Sequence, residues 1–242
     1  MNANGFEKLH GIDEMDEKQV LTLCRTAEWL TRQKLSGTIE LYRPVKVQTG
    51  RTPRQTGARR IRRTNVMKRI GILGAGTWGM ALARMLTVSG NDVLVWSAIE
   101  KEIDSLSTTR KHPNLPQMKI PDELRFTKSI EEVCKDKDIL LFAVPSVFVR
   151  STAAKARPYV ADGQIIVDVA KGIEPDTLYT MTEILADELG KEGGPKGVRL
   201  VALSGPTHAE EVAIDLPTTI VSASKDMKAA AYVQEVFTNN VM

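Results

Sequence analysis

Cysteine is nearly absent from this 242-residue sequence: Cys24 and Cys134 stand far apart and share no metal-ligand spacing. A disulfide framework is excluded, no metal site is expected, and two free thiols suit a reducing compartment. No run of 18 apolar residues occurs, and no positive N-terminal segment leads into an apolar stretch with a small-residue cleavage site. The expectation is a cytoplasmic chain without membrane span or secretion signal. Apolar residues nonetheless make up 42% of the chain, enough to build the core of one large α/β domain or two modest ones.

Acidic residues are scarce in one region in particular. Residues 1–69 carry 15 Lys+Arg against 7 Asp+Glu, leaving 18 against 23 for residues 70–242, so the net charge of +3 conceals an asymmetry. The basicity belongs to the N-terminal extension and says nothing about the ligand of the main domain. Within residues 1–40, Val20, Leu23, Cys24, Ala27 and Leu30 recur at helical spacing before Gly37, which predicts one amphipathic helix. Residues 41–66 are basic and broken by Pro44, Gly50, Pro53 and Gly57. Arg59-Arg60-Ile61-Arg62-Arg63 would suit a nucleic-acid arm, but neither an aromatic stacking platform nor a folded nucleic-acid motif accompanies it. The segment therefore reads as a disordered linker, or as sequence upstream of a natural start at Met67, and nucleic acid is not an expected partner.

The stretch around which residues 67–242 are organised is Lys68 to Leu86. An apolar strand-length run, Lys68 to Leu73, feeds Gly74-Ala75-Gly76-Thr77-Trp78-Gly79, and Met80 to Leu86 reads as helix. In such a strand–turn–helix, Gly74 permits the tight turn, Gly76 lets a pyrophosphate approach bare backbone, and Gly79 lets helix and strand pack closely. The first N–H groups of a helix lack intrahelical partners and carry partial positive charge, so anions suit this place. A second strand, Asp92 to Trp96, follows after one helix length, as a dinucleotide-binding βαβ unit requires. The fold class predicted is α/β: a Rossmann-type, doubly wound, mostly parallel sheet preceded by a helical or disordered N-terminal extension.

Further strands are predicted over Asp138–Pro145, Gln164–Val169, Val198–Leu203 and Leu216–Ser222, with a capping box at Ser129-Ile130-Glu131-Glu132, a helix from about Asp176 and a last helix from Lys225 to Thr238. Val144-Pro145-Ser146, at the carboxyl end of its strand, overlooks the same crevice as the glycine turn. Lys171 emerges at another carboxyl end, where its ammonium can polarise a carbonyl or hold a phosphate, or simply be solvated. Ser204-Gly205-Pro206-Thr207-His208-Ala209 is a small, donor-rich turn at a helix start, suited to an anion or a hydroxylated substrate; His208 can also merely cap or pack. His112, next to Pro113 in a proline-punctuated loop, reads as a surface residue. After Trp96 the first acid and base, Glu100 and Lys101, lie just inside the next helix, so NAD and NADP stay open, with a lean to NAD for want of an arginine.

Taken together, Gly71 to Ala83, Val144-Pro145-Ser146, Ala170-Lys171-Gly172-Ile173-Glu174, Ser204 to Glu211 and Leu216-Pro217-Thr218 resemble bacterial NAD(P)-dependent glycerol-3-phosphate dehydrogenase over Met67 to Met242. The resemblance implies reversible reduction of dihydroxyacetone phosphate to sn-glycerol 3-phosphate, the entry to glycerophospholipid synthesis, and a homodimer in the full-length form. It implies cofactor contacts at Gly74, Gly76, Thr77, Trp78, Gly79, Pro145, Lys171 and Ala209, substrate contacts at Lys171, Gly205 and Thr207, and a catalytic part for Lys171. Ala98 falls where some members carry a basic residue near the adenosine ribose. Members continue into an all-helical second domain carrying the proton-transfer lysine, which lies beyond residue 242. The expectation is accordingly a cofactor-binding part with little turnover alone; a non-catalytic NAD(P)-binding module and a dehydrogenase of another small hydroxy acid are the alternatives.

Overall fold

The computed structural model describes residues 66–239; the predicted N-terminal helix and basic linker lie outside the described residues. The chain divides into two units, Met1–Val66 and Met67–Met242, and every strand and helix described belongs to the second.

Seven strands form one sheet: β1 (Arg69–Leu73), β2 (Asp92–Trp96), β3 (Arg125–Thr127), β4 (Ile139–Phe142), β5 (Ile165–Asp168), β6 (Arg199–Ser204) and β7 (Val221–Ala223), in the order β3-β2-β1-β4-β5-β6-β7. All neighbours are parallel except β6 and β7. The helices are α1 (Thr77–Val88), α2 (Glu100–Thr109), α3 (Ile130–Cys134), α4 (Val149–Ala156), α5 (Met181–Leu189), α6 (Ala209–Val212) and α7 (Met227–Phe237).

Successive strand residues point to opposite faces of a sheet, and the apolar residues here sort accordingly. Ile70, Ile72, Val93, Val95, Ile139, Leu141, Val167 and Val201 join a core with Met80, Leu82 and Leu86 of α1 and Val233 and Phe237 of α7. Leu73, Leu94, Trp96, Leu140, Phe142 and Ile166 join a second core with Val149 and Ala153 of α4 and Ile184, Leu185 and Leu189 of α5. Both faces are covered, which is why β4 and β5 are buried along their whole length and why their sequence is apolar without alternation. The strand order reverses between β1 and β4, and the place beyond their carboxyl ends is where open α/β sheets take ligands.

Several elements differ from the sequence expectations. The helix expected from Asp176 begins at Met181, because Leu178 adopts a left-handed φ of 58° and Thr180 and Glu183 cap each other's backbone N–H groups reciprocally. The box expected at Ser129 has one arm only: Ser129 accepts the Glu132 N–H at 3.2 Å, while the Glu132 carboxylate takes the hydroxyl of Thr127. The last strand shrinks to Val221–Ala223; residues 216–220, including Pro217 with no N–H to give a ladder, lie outside it.

Candidate functional site

The glycine turn joins the ends of three strands. Gly74 donates its N–H to the carbonyl of Trp96 at 2.8 Å, and Ala143, just after β4, donates to Leu73 at 2.8 Å. Gly74 has a φ of 124°, and a Cβ there would sit 2.6 Å from the Ala143 carbonyl. A Cβ on Gly79 would lie 2.2 Å from the Gly74 carbonyl, so helix and strand meet at a spacing that admits no side chain. Gly76 differs from both: a Cβ there meets nothing within 4 Å. Its bareness serves no contact within the described residues, and the open space faces the start of α1, whose N-cap Gly76 offers no side-chain hydrogen bond. Uncapped N–H groups beside a bare backbone form a cradle for an anion. A diphosphate fits that donor set, and a Cβ would fill the space it needs.

Every site residue read from the sequence lies on a segment leaving the carboxyl edge of the parallel strands. Thr77 and Trp78 open α1, both half-buried, with Trp78 packed on the first core. Ala98 is exposed just beyond β2; beside it the buried Ser97 donates to the Glu102 carboxylate at 2.6 Å and accepts the Ile99 N–H at 3.1 Å. Pro145 is exposed after β4 and precedes a 3-10 turn over Ser146–Phe148.

Lys171 reaches from the β5 loop to the β6 loop, donating from Nζ to the Gly205 carbonyl at 3.2 Å. The structure thus brings together two of the residues assigned to substrate. Gly205 is buried, and the Thr219 carbonyl would stand 2.4 Å from a Cβ there. Thr207 is buried, its N–H on the Gly205 carbonyl at 3.0 Å, and Ala209 is buried at the start of α6. That helix has four residues, with Glu210 and Glu211 in its first turn, so its dipole is met by the chain's own carboxylates.

The loop that carries Lys171 is fastened by charge. Arg150 of α4 makes a bidentate pair with Glu174, 2.7 Å for each bond, and also donates to Asp187. The Arg150 guanidinium, helped by the Thr177 hydroxyl, holds the Glu174 carboxyl down at about 2. Val147, Phe148, Ile173 and Leu178 lie exposed on this rim.

Two residues of the site escape a reading of the sequence. His112 is 7% exposed and not a surface residue: it lies against the glycine turn, with Nε2 3.3 Å from the Ala75 carbonyl and Nδ1 accepting the Asn114 N–H at 3.2 Å. Burial holds its pKa below 6.5, against smaller opposing pulls from the Ala75 carbonyl and the Glu102 carboxylate. Asp168 ends β5 only 6% exposed and accepts the Ala170 N–H at 3.2 Å. Burial pushes its carboxyl up to about 7. An acid closing the apolar run Ile165-Ile166-Val167 is the available signal for Asp168; nothing local marks His112, whose partner is 37 residues away.

The sequence pattern of the family described as NAD-dependent glycerol-3-phosphate dehydrogenase N-terminus matches residues 69–230. The chain belongs to that family. Among its relatives, an NAD(P)+ glycerol-3-phosphate dehydrogenase 2 of Lactobacillus delbrueckii subsp. bulgaricus is 66% identical over 176 residues, covering 73% of this chain and 52% of the relative. A protein of the same name without the numeral, from Agathobacter rectalis, is 47% identical over 72% of this chain and 51% of its own length. The crystal structure of glycerol-3-phosphate dehydrogenase from Coxiella burnetii superposes with a TM-score of 0.63 at 28% identity, again over 72% of this chain and 51% of that one. The chain spans about half the length of the curated relatives it matches.

Proposed function

We propose that residues 67–242 bind NAD or NADP across the glycine turn and form the cofactor half of a glycerol-3-phosphate dehydrogenase, which reversibly reduces dihydroxyacetone phosphate to sn-glycerol 3-phosphate. The observation that carries the reading is the vacant approach at Gly76, set at the uncapped start of α1 and at the reversal of strand order. Family membership over residues 69–230 supports it.

In this reading Gly74, Gly76, Thr77, Trp78 and Gly79 hold the diphosphate, Ala98 lies beside the adenosine ribose, and Pro145 and Ala209 line the path to the nicotinamide. The bound dinucleotide supplies the hydride. Lys171 has three N–H donors, one of them directed to Gly205, and the others are available to a carbonyl oxygen or phosphate of the substrate. Gly205 and Thr207 present the β6 turn to the same substrate. Ala98, with exposed Ile99 beside it, offers a 2′-phosphate no arginine; the first acid and base, Glu100 and Lys101, lie just inside α2, and the want of an arginine supports NAD over NADP.

The test is a fluorescence titration of the 242-residue chain with NADH and NADPH, followed by an assay of NADH oxidation with dihydroxyacetone phosphate. Saturable NADH binding is expected, and its absence would overturn the reading. A dinucleotide-binding module without turnover is the second reading. The contact of Lys171 with Gly205 favours it, since a lysine so held is suited to positioning more than to proton exchange. Binding without oxidation would select it.

A further inference from the structure

We propose that His112 is a positioning residue for the diphosphate-binding turn: its imidazole sets the plane of the Ala75–Gly76 peptide and thereby aims the Gly76 N–H at the ligand. The inference rests on the dinucleotide reading above and adds to it a residue outside the glycine motif.

The hydrogen bonds determine the tautomer. Nδ1 accepts the N–H of Asn114, so it carries no proton, and the proton of a neutral ring must sit on Nε2, facing the Ala75 carbonyl. Burial favours that neutral form. Ala75 is 3% exposed and its carbonyl meets the buried His112 ring, a place where a lost partner leaves an unsatisfied acceptor.

The planarity of the peptide carries this interior bond to the surface. No cis peptide occurs among the described residues, and in a planar trans unit the C=O and N–H point in opposite directions. Fixing the Ala75 carbonyl inward therefore fixes the Gly76 N–H outward, on the exposed residue whose missing Cβ leaves open space. Gly76 has no side chain to restrain its own rotation, so the restraint comes from the carbonyl side. The loop supplying it is itself braced: His112 and Leu115 form an isolated antiparallel bridge, and Leu115 is buried in the first core.

Two substitutions separate positioning from filling. His112→Gln keeps an N–H donor at the reach of Nε2 and discards the ring; His112→Phe keeps the ring volume and discards the donor. NADH is titrated against the 242-residue wild type and both variants, with circular dichroism confirming a folded sheet in each. A hydrogen bond that aims the peptide predicts about a tenfold loss of affinity for His112→Phe and recovery to within about threefold of wild type for His112→Gln. Affinity in His112→Phe equal to or above that in His112→Gln shows that the ring only fills space and overturns the proposal. Should His112→Phe fail to fold, His112→Leu takes its place as the donorless variant: a loss of about tenfold beside a His112→Gln within about threefold of wild type supports the proposal, and equal affinities overturn it. Wild-type protein that binds no NADH fails the dinucleotide reading and this proposal with it, whereas wild-type binding with the reversed order of variants fails this proposal only.

Discussion

The turn after β1 and the loop after β5 face the same edge of the sheet but are held by different forces. The first is fixed by sterics and backbone: Gly74 in a conformation that disfavours side chains, Gly79 against the Gly74 carbonyl, and hydrogen bonds to Trp96 and from Ala143. The second hangs on ions: the Arg150–Glu174 pair, the Lys171 contact with Gly205, and the buried Asp168 carboxyl beneath it. Packing at a glycine does not change with pH or salt, whereas a partly exposed ion pair is screened in part and a raised carboxyl titrates near neutrality. The steric frame of the glycine turn is thus built once, at folding, with the neutral His112 imidazole set against it, while the loop bearing Lys171 hangs on charge and remains open to solution conditions.

That contrast is broken most directly at Gly76. Gly76→Val places branched carbons on a Cβ that itself meets nothing within 4 Å, so NADH binding should fall by at least about a hundredfold, with circular dichroism unchanged. Retained affinity would mean that the turn is held rigid for some other purpose.

Asp168 gives the next largest effect. A carboxyl raised from 3.8 to about 7 by burial penalises the native state once ionised, by on the order of 4 kcal/mol at most. With the folded pKa above the unfolded one, that penalty is absent below about pH 4 and complete above about pH 7. Asp168→Asn keeps an acceptor for the Ala170 N–H and does not titrate. Urea unfolding of the variant should come closest to wild type at about pH 3.5, below the unfolded pKa, and exceed it at about pH 8; the same gap at both values would contradict an ionising carboxyl.

Arg150→Ala tests the ionic fastening of the loop itself. It removes the partner of Glu174 while leaving the sheet intact, so amide exchange over residues 172–178 should quicken several-fold, and exchange over Gly74–Gly79 should not change. In the wild type, acid acts likewise, since a Glu174 held at about 2 keeps its pair at neutral pH and loses it only as pH falls towards that value. Arg84→Ala is the smallest of the series. Its bidentate pair ties α1 to Asp215 at 2.6 and 2.7 Å, but Asp215 is half in water, and the cost in urea unfolding should be about 0.2–1 kcal/mol.

The same division governs what is legible in the sequence. β1, β2, β4, β5 and β6 announce themselves as apolar runs because both sheet faces are covered, and the glycine spacing reports a backbone constraint that only glycine meets. β3 gives no such signal, since Arg125-Phe126-Thr127 is too short to show a period and is a strand only through its pairing with β2. The late start of α5 follows from Thr180 outcompeting Asp176 as a cap, a choice made by the left-handed Leu178. At the site, Gly76 and Lys171 are legible by position. His112 is not, because its role is created by a contact 37 residues distant.

Whether the Gly76 backbone receives the diphosphate is read most directly from an amide spectrum of the 242-residue chain labelled with 15N-glycine, recorded with increasing NADH. The largest shifts are expected at Gly74, Gly76 and Gly79, with Gly163 and Gly197, which precede β5 and β6 at the opposite edge, unmoved. Shifts concentrated at Gly163 and Gly197, or a still Gly76 in a saturated sample, would contradict a diphosphate held at this turn.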